Sequence, residues 1–213
     1  MSVSPGPQLL VIRHGETTWS QTGQHTSRTD LALTPAGEAQ ARALGEVLAG
    51  RQFASVLTSP LTRAVTTAQL AGLSDPVVDP DLSEWDYGDY EGLTTAEIQQ
   101  QVPGWSIWRG PWSGGETAEQ VAARADRVVG KVRSLAGPGE TVVAVAHGHV
   151  LRVLAARWLG AAPDVGRWLL LGTASISELG WERAEPAIEH WNEQSRLGSA
   201  PGTAGRWGSM RSS

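Results

Sequence analysis

Two stretches of the chain are apolar without alternation, residues 9–12 (LLVI) and 141–146 (TVVAVA). Short unbroken runs of this kind predict strands covered on both faces, as in the centre of a parallel sheet. The first extends to a strand over residues 8–12. Thr34 and Pro35 then supply an N-cap and a first-turn proline for a helix through about residue 49, with Leu44, Val47 and Leu48 on one face. Residues 54–58 form a second strand, and Ser59-Pro60 repeats the cap signal for a helix reaching about residue 71. Val77 and Val78 mark a third strand. Thr94 with Glu97 forms a capping box for a short helix before Pro103, and residues 101–115 read as irregular.

Thr117 and Gln120 open another helix, whose Val121, Ala125, Val128, Val132 and Leu135 recur at helical spacing and predict a face lying on the sheet. The 141–146 strand ends at His147, a helix follows over 150–159, and residues 175–181 and 187–191 predict a closing pair of strands. Alternating strands and helices imply an α/β fold, a three-layer α/β/α sandwich with a mainly parallel central sheet. At 213 residues, one domain over 1–197 is expected, with the glycine-rich stretch 198–213 as a disordered tail.

Composition narrows the function classes. Hydrophobic residues make up 40% and charged residues 18%, as in a globular protein, and no apolar run is long enough to span a membrane. The N-terminus carries no basic segment followed by an apolar one, so a cytoplasmic location is expected. The formal charge is -5, Lys131 is the only lysine and no basic stripe is visible, which argues against nucleic acid as a partner. Zero cysteines exclude disulfides, thiolate metal sites and a cysteine nucleophile. Ten tryptophans stand beside one phenylalanine and two tyrosines, several of them between Trp85 and Trp112. Most are expected to be core, and exposed ones would suit a homodimer.

The first strand runs into Arg13, His14 and Gly15. A neutral imidazole beside a guanidinium is a candidate nucleophile already facing an anionic electrophile, since Arg offers a rigid fork of donors to phosphate and His attacks phosphorus. His14 and His147 both follow predicted strand ends, where ligands of such sheets bind. Ser59-Pro60 places Arg63 in the first turns of its helix, where the dipole favours an anion.

Arg13-His14-Gly15, Arg63 within SPLTRAVTTA, Glu84 within LSEWDYGDYEG and His147 within AHGH, together with GQHTSRTDLALTPAGEAQA, resemble the histidine phosphatase superfamily with its phosphoglycerate-mutase-like fold, over roughly residues 9–191. The EWDYGDYEGLTT and HGHVLRVLAARWLG stretches look most similar to the branch holding bacterial acid phosphatases and the fungal sedoheptulose-1,7-bisphosphatase. The resemblance implies that Arg13, Arg63 and His147 surround a phosphate, that His14 becomes phosphorylated and that Glu84 is the proton donor and later the base. On local sequence alone Asp81, Asp86, Asp89 and Glu91 compete with Glu84. Further expected substrate contacts are Ser20, Thr26, Ser27, Tyr87 and the Gly148 amide; many mutases of the family carry Asn in place of Ser20 and Gly in place of Ser27.

The resemblance implies no cofactor. His147 and His149 form an HxH pair that could ligate a metal, but no compact carboxylate cluster accompanies it in sequence. His149 could equally line the substrate mouth or cap the following helix. Between Leu93 and Gly114 only Arg109 is basic. Mutases of the resembled family place a longer, more basic insert there, so hydrolysis of small phosphomonoesters is expected, with cofactor-dependent mutase chemistry as the alternative and a non-catalytic phosphate-binding protein as a third class.

Overall fold

The computed structural model describes residues 6–194; the expected tail at 198–213 lies outside them. Strand β1 (Gln8–Arg13) is followed by a short helix α1 (Thr18–Thr22), helix α2 (Pro35–Leu48), strand β2 (Ser55–Thr58), helix α3 (Thr62–Leu70) and a two-residue strand β3 (Val77–Val78). Two single 3-10 turns lead to α4 (Thr95–Gln101), α5 (Ala118–Leu135), β4 (Thr141–Ala146) and α6 (Gly148–Trp158). A further 3-10 turn at Pro163–Trp168 precedes the hairpin β5 (Ser175–Glu182) and β6 (Glu185–Gln194). Among the described residues no helix is long and apolar enough to cross a membrane.

The strands form one sheet in the order β3-β2-β4-β1-β5-β6. The first four are mutually parallel, and β5 and β6 join antiparallel. Side-chain alternation explains why the central strands read as unbroken apolar runs. Leu9, Val11, Val142 and Ala144 face one core with α5 and α6, while Leu10, Ile12, Val143 and Val145 face a second core with α2 and α3.

Local caps formed as the sequence predicted at Thr34, Thr94 and Thr117, each accepting a backbone N–H of the first turn. Ser59 did not cap α3. That helix begins at Thr62, and its first amide and the Thr62 hydroxyl both donate to the Asp30 carboxylate, a cap from a remote loop. Leu135, the last residue of α5, is exposed, against expectation, and Val47 of α2 is exposed as well. Helix α1 was not anticipated: Thr17 and Ser20 form its reciprocal capping box.

The β1–α1 connection crosses the first turn of α2 at backbone contact. A Cβ placed at Gly15 would meet the Gly37 carbonyl, and one at Gly37 would meet the Glu16 carbonyl. The only relief is movement of main chain just beyond His14. Gly37→Ala should therefore cost roughly 1–3 kcal/mol, read as a lower urea midpoint at unchanged slope; an unchanged midpoint would show that the crossing tolerates a methyl group.

Candidate active site

Strands β1 and β4 are direct neighbours, paired in parallel from Gln8 opposite Thr141 to Arg13 opposite Ala146. The two chains therefore leave the sheet side by side. The His14 amide donates to the Ala146 carbonyl at 2.9 Å, and the His14 and His147 rings meet edge to face with centroids 5.1 Å apart. His14 Nδ1 lies 2.7 Å from the Gly15 carbonyl, which only accepts, so Nδ1 carries the proton and Nε2 keeps its lone pair. Burial holds this imidazole well below its ordinary pKa, and the adjacent Arg13 and Arg63 charges push it the same way.

Arg63, the second residue of α3, is fully buried. Its Nε donates to His147 Nδ1 at 3.1 Å, and its terminal nitrogens donate to the carbonyls of Thr26, Ser27 and Thr29. Because guanidinium donates at Nδ1, the His147 proton sits on Nε2, which donates to the Ser59 hydroxyl at 2.6 Å. His147 is thus a neutral ring gripped at both nitrogens. Burial depresses its pKa well below the ordinary value, with Arg63 as the next cause. The misread Ser59 has its role here, orienting this imidazole.

Arg13 is held by one bond, from Nη1 to the Leu171 carbonyl at 2.5 Å. Its Nε is buried without a hydrogen-bond partner among the described residues. An orphaned cationic donor in a cavity floor is the signature expected of an anion site. Gly148 lies beside it, where a Cβ would be in van der Waals contact with the Arg13 guanidinium carbon at 3.4 Å.

Glu84 approaches the same point from the irregular stretch between the two 3-10 turns that precede α4. Its Oε1 accepts from the amides of Trp85 and Val150, both at 2.8 Å, and its Oε2 accepts from the His149 amide at 3.0 Å. His147 occupies the N-cap of α6 without capping it through its side chain, so Glu84 acts as that helix's cap in trans. Of the competing carboxylates, Glu84 lines the cavity and Asp81, Asp86, Asp89 and Glu91 do not. Asp81 pairs with Arg127, Asp86 with Arg28, Asp89 with Ser113 and Glu91 with the Ser27 loop.

Arg13, His14 and Glu84 line a cavity of about 450 Å³, with Arg63 and His147 immediately behind its floor. Ser20, Thr26, Tyr87 and Gly148 line it as expected, although the Ser20 hydroxyl is engaged in the α1 capping box. Ser27 does not line it; its hydroxyl and amide are both bound to Glu91. His149 does line the mouth, with Nδ1 2.7 Å from the Tyr87 hydroxyl. The cap it was a candidate for is made by Glu84. Trp105 and Trp108 form the opposite wall, and the Arg152 guanidinium lies 4.7 Å over the Trp108 ring. His25 packs 4.5 Å from Tyr87, and burial lowers its pKa to about 4 despite nearby Glu91. His25 and Arg152 stand inside the GQHTSRTD and HGHVLRVLAARWLG stretches, but nothing in those stretches singles them out; only their folded neighbours mark them. Among the described residues no group of three or more His, Cys, Asp or Glu side chains is arranged to hold a metal ion.

The chain belongs to the histidine phosphatase superfamily, whose branch 1 model matches residues 9–194. It is 40% identical over 177 residues to an acid phosphatase of Mycobacterium tuberculosis, covering 82% of this chain and 87% of that protein. Identity to the sedoheptulose 1,7-bisphosphatase of Saccharomyces cerevisiae is also 40%, over 185 residues, 72% of this chain and 68% of that one. The solved structure of a Mycobacterium tuberculosis open reading frame superposes with a TM-score of 0.83 at 36% identity, covering 88% and 98% of the two chains.

A depressed imidazole pKa means that the neutral form persists as pH falls through the value of a free histidine, about 6.5. Two-bond ¹H–¹⁵N imidazole spectra should therefore show His14 as the Nδ1–H tautomer with no titration between about pH 7 and pH 5. A midpoint near that of free histidine, or an Nε2–H tautomer, would contradict the geometry.

Proposed function

We propose that this chain hydrolyses small phosphomonoesters through a phosphohistidine formed on His14. The observation that carries the reading is the state of His14: Nδ1 is committed to the Gly15 carbonyl, the ring is kept neutral, and two arginines stand within its electrostatic reach. A neutral nucleophile between cations meets a phosphate dianion without charge repulsion. Phosphoryl transfer asks mainly for positioning and for charge stabilisation on the phosphoryl oxygens.

In the first step the Nε2 lone pair of His14 forms a bond to phosphorus while the ester P–O bond breaks. Protonated Glu84 gives its proton to the departing alkoxide. In the second step water attacks phosphorus, its proton passes to the Glu84 carboxylate, and the P–N bond breaks to return neutral His14 and inorganic phosphate. Arg13, with its unpartnered Nε, and Arg63 would hold the phosphoryl oxygens, and the Gly148 amide at the first position of α6 would add a donor.

One feature supports water as the acceptor. The 101–115 segment contributes Trp105, Ser106, Ile107 and Trp108 to the cavity wall and no basic side chain, since Arg109 lies outside the lining. A mutase must retain a bisphosphate and exclude water, which needs several cations at the remote end and a closed site, whereas at this wall the cavity lining offers the Arg152 guanidinium over Trp108. The same wall suits a sugar or aromatic leaving group, with Gln24, Thr95 and Gln99 as polar contacts. The substrate class is therefore the phosphorylated small metabolite, sugar phosphates included.

Glu84→Gln should lower kcat by about 10²–10⁴-fold while leaving inhibition by inorganic phosphate largely intact. With 3-phosphoglycerate and a trace of 2,3-bisphosphoglycerate the protein should release phosphate, in excess chelator as well as without it. Unchanged turnover in the variant would move the proton donor elsewhere, and rapid formation of 2-phosphoglycerate would replace hydrolysis by mutase chemistry.

A further inference from the structure

Arg63 is buried, yet among the described residues none of its hydrogen bonds goes to a carboxylate. Its terminal nitrogens rest on the carbonyls of Thr26, Ser27 and Thr29, a loop with no regular structure to fix it. What fixes it is Glu91, on the far side of the same loop. Glu91 Oε1 accepts from the amides of Ser27 and Thr29, both at 3.0 Å, and Oε2 accepts from the Ser27 amide at 2.9 Å and the Ser27 hydroxyl at 2.5 Å.

The Ser27 amide and the Thr26 carbonyl belong to one peptide group. Carboxylate, peptide and guanidinium are thus joined in series, Glu91 to Ser27 N–H and Thr26 C=O to Arg63 Nη2. Hydrogen bonds linked this way polarise one another, so the carboxylate strengthens the carbonyl on which the arginine rests. The loop also returns to the helix that carries Arg63, where Asp30 holds the Thr62 amide at 2.9 Å and the Thr62 hydroxyl at 2.6 Å. Both ends of the arrangement are tied down.

We propose that Glu91 is a positioning residue for the phosphate-holding Arg63, acting through the Thr26–Ser27 peptide group and touching no substrate. This rests on the reading that Arg63 holds the transferring phosphoryl group. It leaves the guanidinium oriented by neutral carbonyls, so its positive charge is balanced at a distance and stays available to the phosphate. A carboxylate paired directly with Arg63 would have competed with substrate for the same donors.

The test is a double-mutant cycle on the purified full chain, reading kcat/KM for a phosphomonoester and inhibition by orthovanadate. Glu91→Gln keeps the side chain's size but turns one acceptor oxygen into a donor. In the wild-type background it should lower kcat/KM about tenfold and weaken vanadate by a similar factor. In an Arg63→Met background the same change should cost less than about twofold. Equal losses in the two backgrounds would show that Glu91 merely supports the fold, and no loss in wild type would remove its role altogether. If Arg63→Met itself retained full activity, the fault would lie with the phosphate-site reading rather than with Glu91. Should Glu91→Gln fail to fold, Ser27→Ala removes one bond to the same carboxylate and enters the same cycle, with an expected loss of about threefold in wild type only; equal loss in both backgrounds, or none in wild type, would overturn the proposal in the same way.

Discussion

The site depends on the parallel register between β1 and β4. Arg13 stands opposite Ala146, and one residue further on the chains deliver His14 and His147 to the same point. A register slip of one residue would turn every side chain of a strand to the other face. That slip is blocked because both faces of both strands are buried against separate cores. The hydrophobic pattern that stabilises the sheet is therefore also what aligns two histidines separated by more than a hundred residues.

Around that point, groups with opposite electrostatic needs are packed out of water. The histidines stay neutral because burial and two arginines make protonation costly, while burial also lowers the arginine pKa values and is opposed by the carbonyls that accept from them and by Glu84 nearby. Glu84 joins the two halves. By accepting the His149 and Val150 amides it caps α6, and through the same contacts it is brought into the cavity beside Arg13 and His14. Helix stability and the location of the proposed proton donor thus depend on one set of hydrogen bonds.

What was legible in the sequence was what acts locally. The continuous apolar runs, the three cap residues Thr34, Thr94 and Thr117, and the strand-end position of His14 all express themselves within a few residues. What was not legible acts across the fold. Asp30 caps α3 from a distant loop, Ser59 orients His147 instead of starting a helix, and Ser27 faces Glu91 instead of the cavity. A hydroxyl or carboxylate has the same sequence signature whether it bonds its own helix or another element. His149 shows the limit well: the HxH spacing left a metal ligand, a cap and a wall all open, and that Glu84 makes the cap while His149 meets Tyr87 at the cavity mouth is visible only in the fold.

The central claim is that His14 carries the phosphoryl group between the two steps. Rapid acid-free quenching during turnover of a ³²P-labelled phosphomonoester, followed by peptide mapping, tests it most directly. The account predicts an acid-labile, base-stable label on the peptide containing His14, lost in His14→Ala together with the activity. Full activity in His14→Ala, or a label on another residue, would contradict it.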